Sequence, residues 1–296
     1  MPSVLAMAKS SAYWVAGLLV CALIAIAGLT LAPQDSDAAG AATPEAPATT
    51  TAPTTPAAAT VAEPSTATLE AIDTDADFSV AAVDVDTGET LTYGDGSFDT
   101  ASIVKVDILA ALLHRAQRDG RTLTGSEQAL ATAMIERSDN AAATTLFNAV
   151  GGKTGLDAFN DVIGLDDTVV GSNGNWGLTQ TTAVDQLRLL EVVFGDDSVL
   201  TADSQAYEQG LMSHVVEAQS FGVSAAADDP DDAALKVGYL QRSVTGLWDV
   251  TSIGEIEAGG HTYLVAVLTD GNASYDGGVA LADAVARAAV SGLSAI

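Results

Sequence analysis

Ser102 and Lys105 are a nucleophile and a base set three residues apart. On a helix that spacing puts both side chains on one face, one turn apart. A serine hydroxyl attacks poorly until a base takes its proton. A lysine can take it once burial or a second cation favours the neutral amine. A helix N-terminus at Ser102 would also favour negative charge developing there. Two other clusters stand out. Ser138, Asp139 and Asn140 follow Met134 and Ile135 and precede Leu146 and Phe147. Taken alone, such a trio also serves as a helix cap. Lys236, Val237 and Gly238 sit between the acidic run Asp228–Asp232 and Leu240. A lysine followed by glycine on a strand lets a substrate backbone come close.

These residues need elements to carry them. Phe78 to Asp84 alternates as a strand, Asp86-Thr87-Gly88 turns, and Thr90 to Tyr93 forms a second strand. Val104, Ile108, Leu109, Leu112 and Leu113 follow a helical period over about 102–118. Helical segments continue to about residue 222. Strands return at Leu235–Leu240, Leu247–Ile256 and Tyr263–Leu268, with Gly259-Gly260 turning between the last two. Gly278 to Leu293 reads as an amphipathic helix. This order predicts an α/β (α+β) fold: a five-stranded antiparallel sheet assembled from both chain ends, with flanking helices and an inserted helical subdomain. The cleft between sheet and helices is where a site is expected.

Ser-x-x-Lys, Ser-Asp-Asn and Lys-Val-Gly, in that order, resemble the three motifs of the class A β-lactamases and related penicillin-recognising serine hydrolases. The resemblance covers about Phe78 to Leu293. Gly151-Gly152 followed by Leu156 to Phe159 is similar to the family's segment after Ser-Asp-Asn. It implies a β-lactamase/transpeptidase-like fold and an acyl-serine reaction on β-lactams or D-alanyl peptide-type amides. By this resemblance Ser102 is the acylated nucleophile and Lys105 its base or base partner. Ser138 passes the proton to the leaving nitrogen. Asn140 binds the substrate amide carbonyl, and Asp139 is structural. Lys236 meets the substrate carboxylate and helps depress the Lys105 pKa. Gly238 and Tyr239 line the substrate site, with the N–H groups of Ser102 and Tyr239 as oxyanion hole. Lys153-Thr154-Gly155 matches the third motif's letters better, but it lies in a Gly-rich turn entering a helix and is set aside.

The chain departs from the family in two places. Val237 replaces a hydroxyl residue, removing a donor to the substrate carboxylate. The loop that carries a deacylating glutamate in class A enzymes is short here, Gly171 to Thr179, and contains no acid. Asp166 and Asp167 precede it and are not assigned that role. Asn173 or Asn175 could hold a water but cannot act as a base. Acylation is therefore expected, and fast deacylation lacks its base. A competing reading makes the chain a non-catalytic binder of peptidoglycan fragments or of a protein partner.

The rest of the chain sets the context. Residues 12–32 are apolar and uncharged. At 1.5 Å per residue they span roughly 30 Å of hydrocarbon. Lys9 precedes them and Asp35 and Asp37 follow, which places everything downstream outside the membrane. We read residues 1–32 as a membrane anchor, with a cleaved signal segment as the alternative. Residues 33–68, rich in Ala, Thr and Pro, form a disordered spacer, and 69–296 the hydrolase domain. The single cysteine, Cys21, excludes an intrachain disulfide. The formal net charge of -28, from 39 acidic and 11 basic residues, excludes nucleic-acid partners. His114, His214 and His261 show no ligand spacing, so no metal and no cofactor are expected. Trp176 and Trp248 read as packing or cleft-wall residues, and the chain as a monomer.

Overall fold

The computed structural model describes residues 64–294. The apolar stretch 12–32, Cys21 and most of the spacer lie outside them. Among the described residues no helix is long and apolar enough to cross a membrane. The chain enters through a short helix α1 (Ala67–Glu70), where Leu69 is fully buried. The Ser65 N–H donates to the Gly292 carbonyl at 3.0 Å, and the Thr68 hydroxyl to Ala288 at 3.1 Å. Contact with the end of the chain thus begins before residue 69.

The elements follow as β1 (Asp77–Asp84), β2 (Thr90–Tyr93), β3 (Phe98–Asp99), α2 (Val104–Arg118), α3 (Gly125–Glu136), α4 (Asn140–Ala149), α5 (Gly152–Ile163), β4 (Gln180–Thr181), α6 (Ala183–Phe194), α7 (Ala202–Met212), β5 (Ala234–Gln241), β6 (Trp248–Ala258), β7 (His261–Asn272) and α8 (Tyr275–Ser294). Five strands form one antiparallel sheet in the order β2-β1-β7-β6-β5. This is the sheet from both chain ends that the strand order predicts. Alternation along β1 sends Val80 and Ala82 to the side covered by α8, and Ala81 and Val83 to the helical side. The structure adds a two-stranded ladder, β3–β4, pairing Phe98 with Thr181 and Asp99 with Gln180. Two residues per strand are too few to show a period in sequence.

Capping residues place the helix starts. Thr124 and Glu127 form a capping box at α3, and the hydroxyls of Thr182 and Thr201 accept from the first turns of α6 and α7. Helix α2 is buried on every side from Val104 to Leu113. Such a helix is the centre of a helical layer, not a surface helix with one apolar stripe. The two charged residues of that stretch, Lys105 and Asp107, are therefore buried with it.

Asp107 and Glu208 form an acidic pair in this interior. Burial pushes Asp107 up to about 8, with Asp157 adding to the rise, and pushes Glu208 well above the usual carboxylate range, with the Asp107 charge adding to it. Asn160, with its amide nitrogen turned to Asp107, donates to both carboxyl oxygens at 2.9 and 3.1 Å. Both oxygens of Glu208 lack a partner. A carboxyl whose folded pKa is raised stabilises the fold fully below its unfolded pKa, about 4.3 for Glu. That contribution is lost as pH rises through the folded value. Glu208→Gln should therefore leave the melting temperature nearly unchanged at pH 4 and raise it by about 4 °C or more at pH 8. Thermal unfolding at the two pH values checks this, and an equal change at both would contradict it.

Candidate active site

Ser102 lies in a 3-10 turn, Ala101–Ile103, that leads directly into α2. The α-helix proper starts at Val104, slightly later than the periodicity predicts. Among the described residues three non-glycine positions hold positive φ: Ala101 at 47°, Ser138 at 56° and Asn173 at 55°. The first precedes the serine, the second is the second-motif serine, and the third is in the short loop. Left-handed backbone costs roughly 1–2 kcal/mol per residue. It persists where the surroundings over-determine it, as functional sites often do.

Lys105 draws the first two motifs together. Its Nζ lies 2.8 Å from Ser102 Oγ, 2.8 Å from Ser138 Oγ, 2.9 Å from the Ser138 carbonyl and 2.8 Å from Asn140 Oδ1. An ammonium has only three N–H groups for these four oxygens. The Ser138 carbonyl and Asn140 Oδ1 can only accept, whereas the two hydroxyls can donate. A neutral amine fits this set: two N–H groups serve the obligate acceptors, and the lone pair takes a hydroxyl proton. Burial lowers the Lys105 pKa to about 8, against an opposing pull from Asp139. Asp139 itself caps α4, its Oδ1 accepting from the Ala142 N–H at 2.7 Å. The structural role expected of it is what its contacts provide.

Strand β5 forms the opposite wall. A Cβ on Gly238 would stand 2.6 Å from the Ser102 nitrogen and 2.7 Å from the Thr100 carbonyl. Only glycine lets the strand lie this close to the serine turn. Thr251, on the neighbouring strand, reinforces the approach by donating to the Thr100 carbonyl at 3.1 Å. Tyr239 is 45% exposed and packs edge-on against Tyr275, beside Trp248.

Lys236 departs from the expected picture. It is fully buried, and its Nζ donates to Gln219 Oε1 at 3.1 Å and to the Val237 carbonyl at 3.2 Å. Burial, with the nearby Lys105 charge, pushes its pKa down to about 7. Val237 is 1% exposed and packs into the core on the α8 side. Its side chain leaves the cleft, so the missing hydroxyl leaves no gap in the wall.

The short loop is pinned under the serine turn. The Thr179 carbonyl accepts from the Thr100 N–H at 2.8 Å, and the Thr179 hydroxyl joins the Trp176 carbonyl to the Gly171 N–H. Arg242 adds a tie through Asp99 and, at 3.2 Å, Asp249. Trp176 lies with its ring centroid 5.1 Å from Lys105 Nζ and donates from Nε1 to Thr144 at 3.2 Å. The cleft-wall reading of Trp176 gains a specific contact, a ring face on the lysine. Asp166 and Asp167 are exposed ahead of the loop. Lys153 is paired with Asp157 on α5 at 2.9 Å.

His261 finds acidic company in the fold, because β7 and the end of β1 with its turn bring ligand atoms of Asp84, Asp86 and His261 within 4.8 Å of one another. Residues so far apart in sequence give no spacing signal. Their contacts are internal: Asp84 accepts from His261 and from the N–H groups of Asp86 and Thr87. Gln219 and Thr251 carried no signal either, since each acts through a single contact between distant segments.

A central helix flanked by an antiparallel sheet, with Ser102, Lys105, Ser138, Asn140 and Gly238 at their junction, defines a β-lactamase-like hydrolase fold. The model of the β-lactamase enzyme family matches residues 64–293. The chain belongs to that family. Among solved structures it is similar to PBP-A, at 20% identity and TM-score 0.66, over 77% of this chain and 94% of that one. It is also similar to a class A β-lactamase from Bacteroides cellulosilyticus, at 18% identity and TM-score 0.64, covering 76% and 94%. A variant of the reconstructed class A β-lactamase of the last common ancestor of Gram-negative bacteria gives 23% identity and TM-score 0.60, covering 73% and 92%. No curated protein matches.

Gly238→Ala tests the close approach directly. The added methyl must displace the serine turn or the strand, an overpacking cost of about 1–3 kcal/mol. Urea unfolding should show that loss, and an unchanged midpoint would contradict the geometry.

Proposed function

We propose that this chain is an exported serine hydrolase that acts through an acyl-Ser102 intermediate on β-lactam or D-alanyl peptide-type amides and releases the acyl group slowly. The observation that carries this reading is the set of four oxygens around Lys105 Nζ, including Ser102 Oγ at 2.8 Å. In the first step Ser102 Oγ bonds to the substrate carbonyl carbon while its proton moves to neutral Lys105. The backbone N–H groups of Ser102 and Tyr239 are assigned to the oxyanion. Ser138, within reach of Lys105, relays the proton to the leaving nitrogen, the C–N bond breaks, and an ester on Ser102 remains. Asn140 holds the substrate amide.

Slow release follows from the loop. It offers no carboxylate to activate water, and the residue it sets against Lys105 is Trp176, an apolar ring. A PBP-A mutant is described as an acyl-enzyme complex with penicillin G, at 20% identity and TM-score 0.64 to this chain. Export rests on the apolar stretch 12–32 and the charges that flank it. Four oxygens from three motif residues gathered on one buried lysine are more than a pure binding module requires, which favours catalysis over that reading.

The purified chain incubated with a fluorescent penicillin should gain one adduct by intact mass, mapped to Ser102 and persisting for minutes or longer. Ser102→Ala should gain none. An adduct that survives this substitution, or its absence from the unsubstituted chain under prolonged incubation, would overturn the proposal.

A further inference from the structure

Basic residues are scarce in this chain, 11 among 296, yet Arg115, Arg118 and Arg121 gather at the C-terminal end of α2 and just beyond it. A cavity of about 340 Å³ opens beside Arg115 and Arg118, where α2 meets α5. None of the residues that line it belongs to the serine site. Its apolar wall includes Val150, Phe159 and Val162, and Val162 is 53% exposed. His114 reaches the cavity half-buried, its ring 5.4 Å from that of Phe159. Arginines at a helix C-terminus ordinarily serve exposed carbonyls or pair with acids. Arg115 does both, donating to the Ala149 carbonyl and lying 4.0 Å from Asp119. Arg121 is held by Glu127 at 2.9 Å and lies 3.9 Å from the same Asp119. The one carboxylate on the cavity is thus shared between two arginines. Arg118 is exposed and makes no ion pair or side-chain hydrogen bond among the described residues. Burial, and then the Arg118 charge, lower the His114 pKa, so the guanidinium stands close to the ring.

We propose that this cavity is a second binding site, for a small organic carboxylate with an apolar, aromatic or branched body. The carboxylate meets Arg118, whose planar guanidinium can hold it by two parallel hydrogen bonds. His114 stands alongside. The body covers Phe159 and Val162, taking apolar surface out of water. The chain's net charge of -28 repels anions at long range, but charges beyond about 8 Å are screened at physiological salt. The local guanidinium therefore decides. A neutral ligand of the same shape gains only the apolar contact, and a bare inorganic anion gains only the charge. His114 follows Lys105 on α2 by about 13 Å along the helix axis, so an occupant leaves the serine cleft open. The site stands independently of the acyl-Ser102 reading.

The test follows the His114 ring by proton NMR of the purified chain, its resonance assigned by its loss in His114→Gln. Hydrocinnamate should shift that resonance saturably, with a Kd in the millimolar range or tighter. It should also raise the His114 titration midpoint, because a bound anion favours the imidazolium. Hydrocinnamamide, of the same shape without the charge, should bind about tenfold more weakly, the scale of one hydrogen bond to a charged group. Inorganic phosphate should be weaker than hydrocinnamate as well. Arg118→Ala, an exposed position, should cost the carboxylate about tenfold and leave the amide unchanged. Ser102→Ala should bind hydrocinnamate as the unsubstituted chain does, which separates this site from the serine cleft. No saturable shift up to about 20 mM, equal affinity for acid and amide, or an affinity that Arg118→Ala leaves unmoved overturns the proposal. Phosphate binding as tightly as hydrocinnamate overturns the apolar part of it, and loss of binding in Ser102→Ala overturns its location.

Discussion

A lysine amine held away from water between two serine hydroxyls is the interaction on which the rest of this structure depends. Lys105 can be buried only because α2 is surrounded, by the sheet on one side and the other helices on the rest. A surface helix with the same Ser-x-x-Lys spacing would leave the lysine hydrated, charged and inert as a base. The sheet serves the same end. Gly238 lets β5 close down on the serine turn, and the Thr251 hydroxyl bridges strand and turn. The strained backbone at Ala101 and Ser138 is the local cost of aiming two hydroxyls at one nitrogen.

Much of this was legible in the sequence. Each strand of the main sheet carried a short alternating or apolar run, and the order of strands and helices predicted a sheet made from both chain ends. The pairs Ser102 with Lys105 and Ser138 with Asn140 were legible because short spacings within a helix or a turn place side chains together regardless of the remaining fold. What could not be read were contacts between distant segments. Gln219 reaches Lys236 from a 3-10 turn with no periodicity, and Asp84 meets His261 across paired strands. The direction of Val237 was equally hidden. Its letter suggested a damaged site, whereas the strand turns that side chain into the core behind the wall.

The same burial that tunes Lys105 places other groups under pressure. Asp107 and Glu208 share its helical interior, and their raised pKa values favour neutral carboxyls. Lys236 is driven the opposite way, towards the neutral amine, by the same desolvation. The interior around α2 thus favours uncharged forms of acids and bases alike. The lowered pKa values of Lys105 beside Ser102 and of Lys236 on β5 are two consequences of one dry environment.

The measurement that tests this account most directly is the titration of Lys105 itself. Carbon-13 NMR of lysine-labelled protein would follow it, the resonance being assigned by its loss in Lys105→Arg. The account predicts a midpoint of about 8. A midpoint near 10.4, the ordinary lysine value, would leave fewer than about one lysine in a thousand neutral at pH 7, against roughly one in ten at a midpoint of about 8. Lys105 could not then serve as the base that activates Ser102.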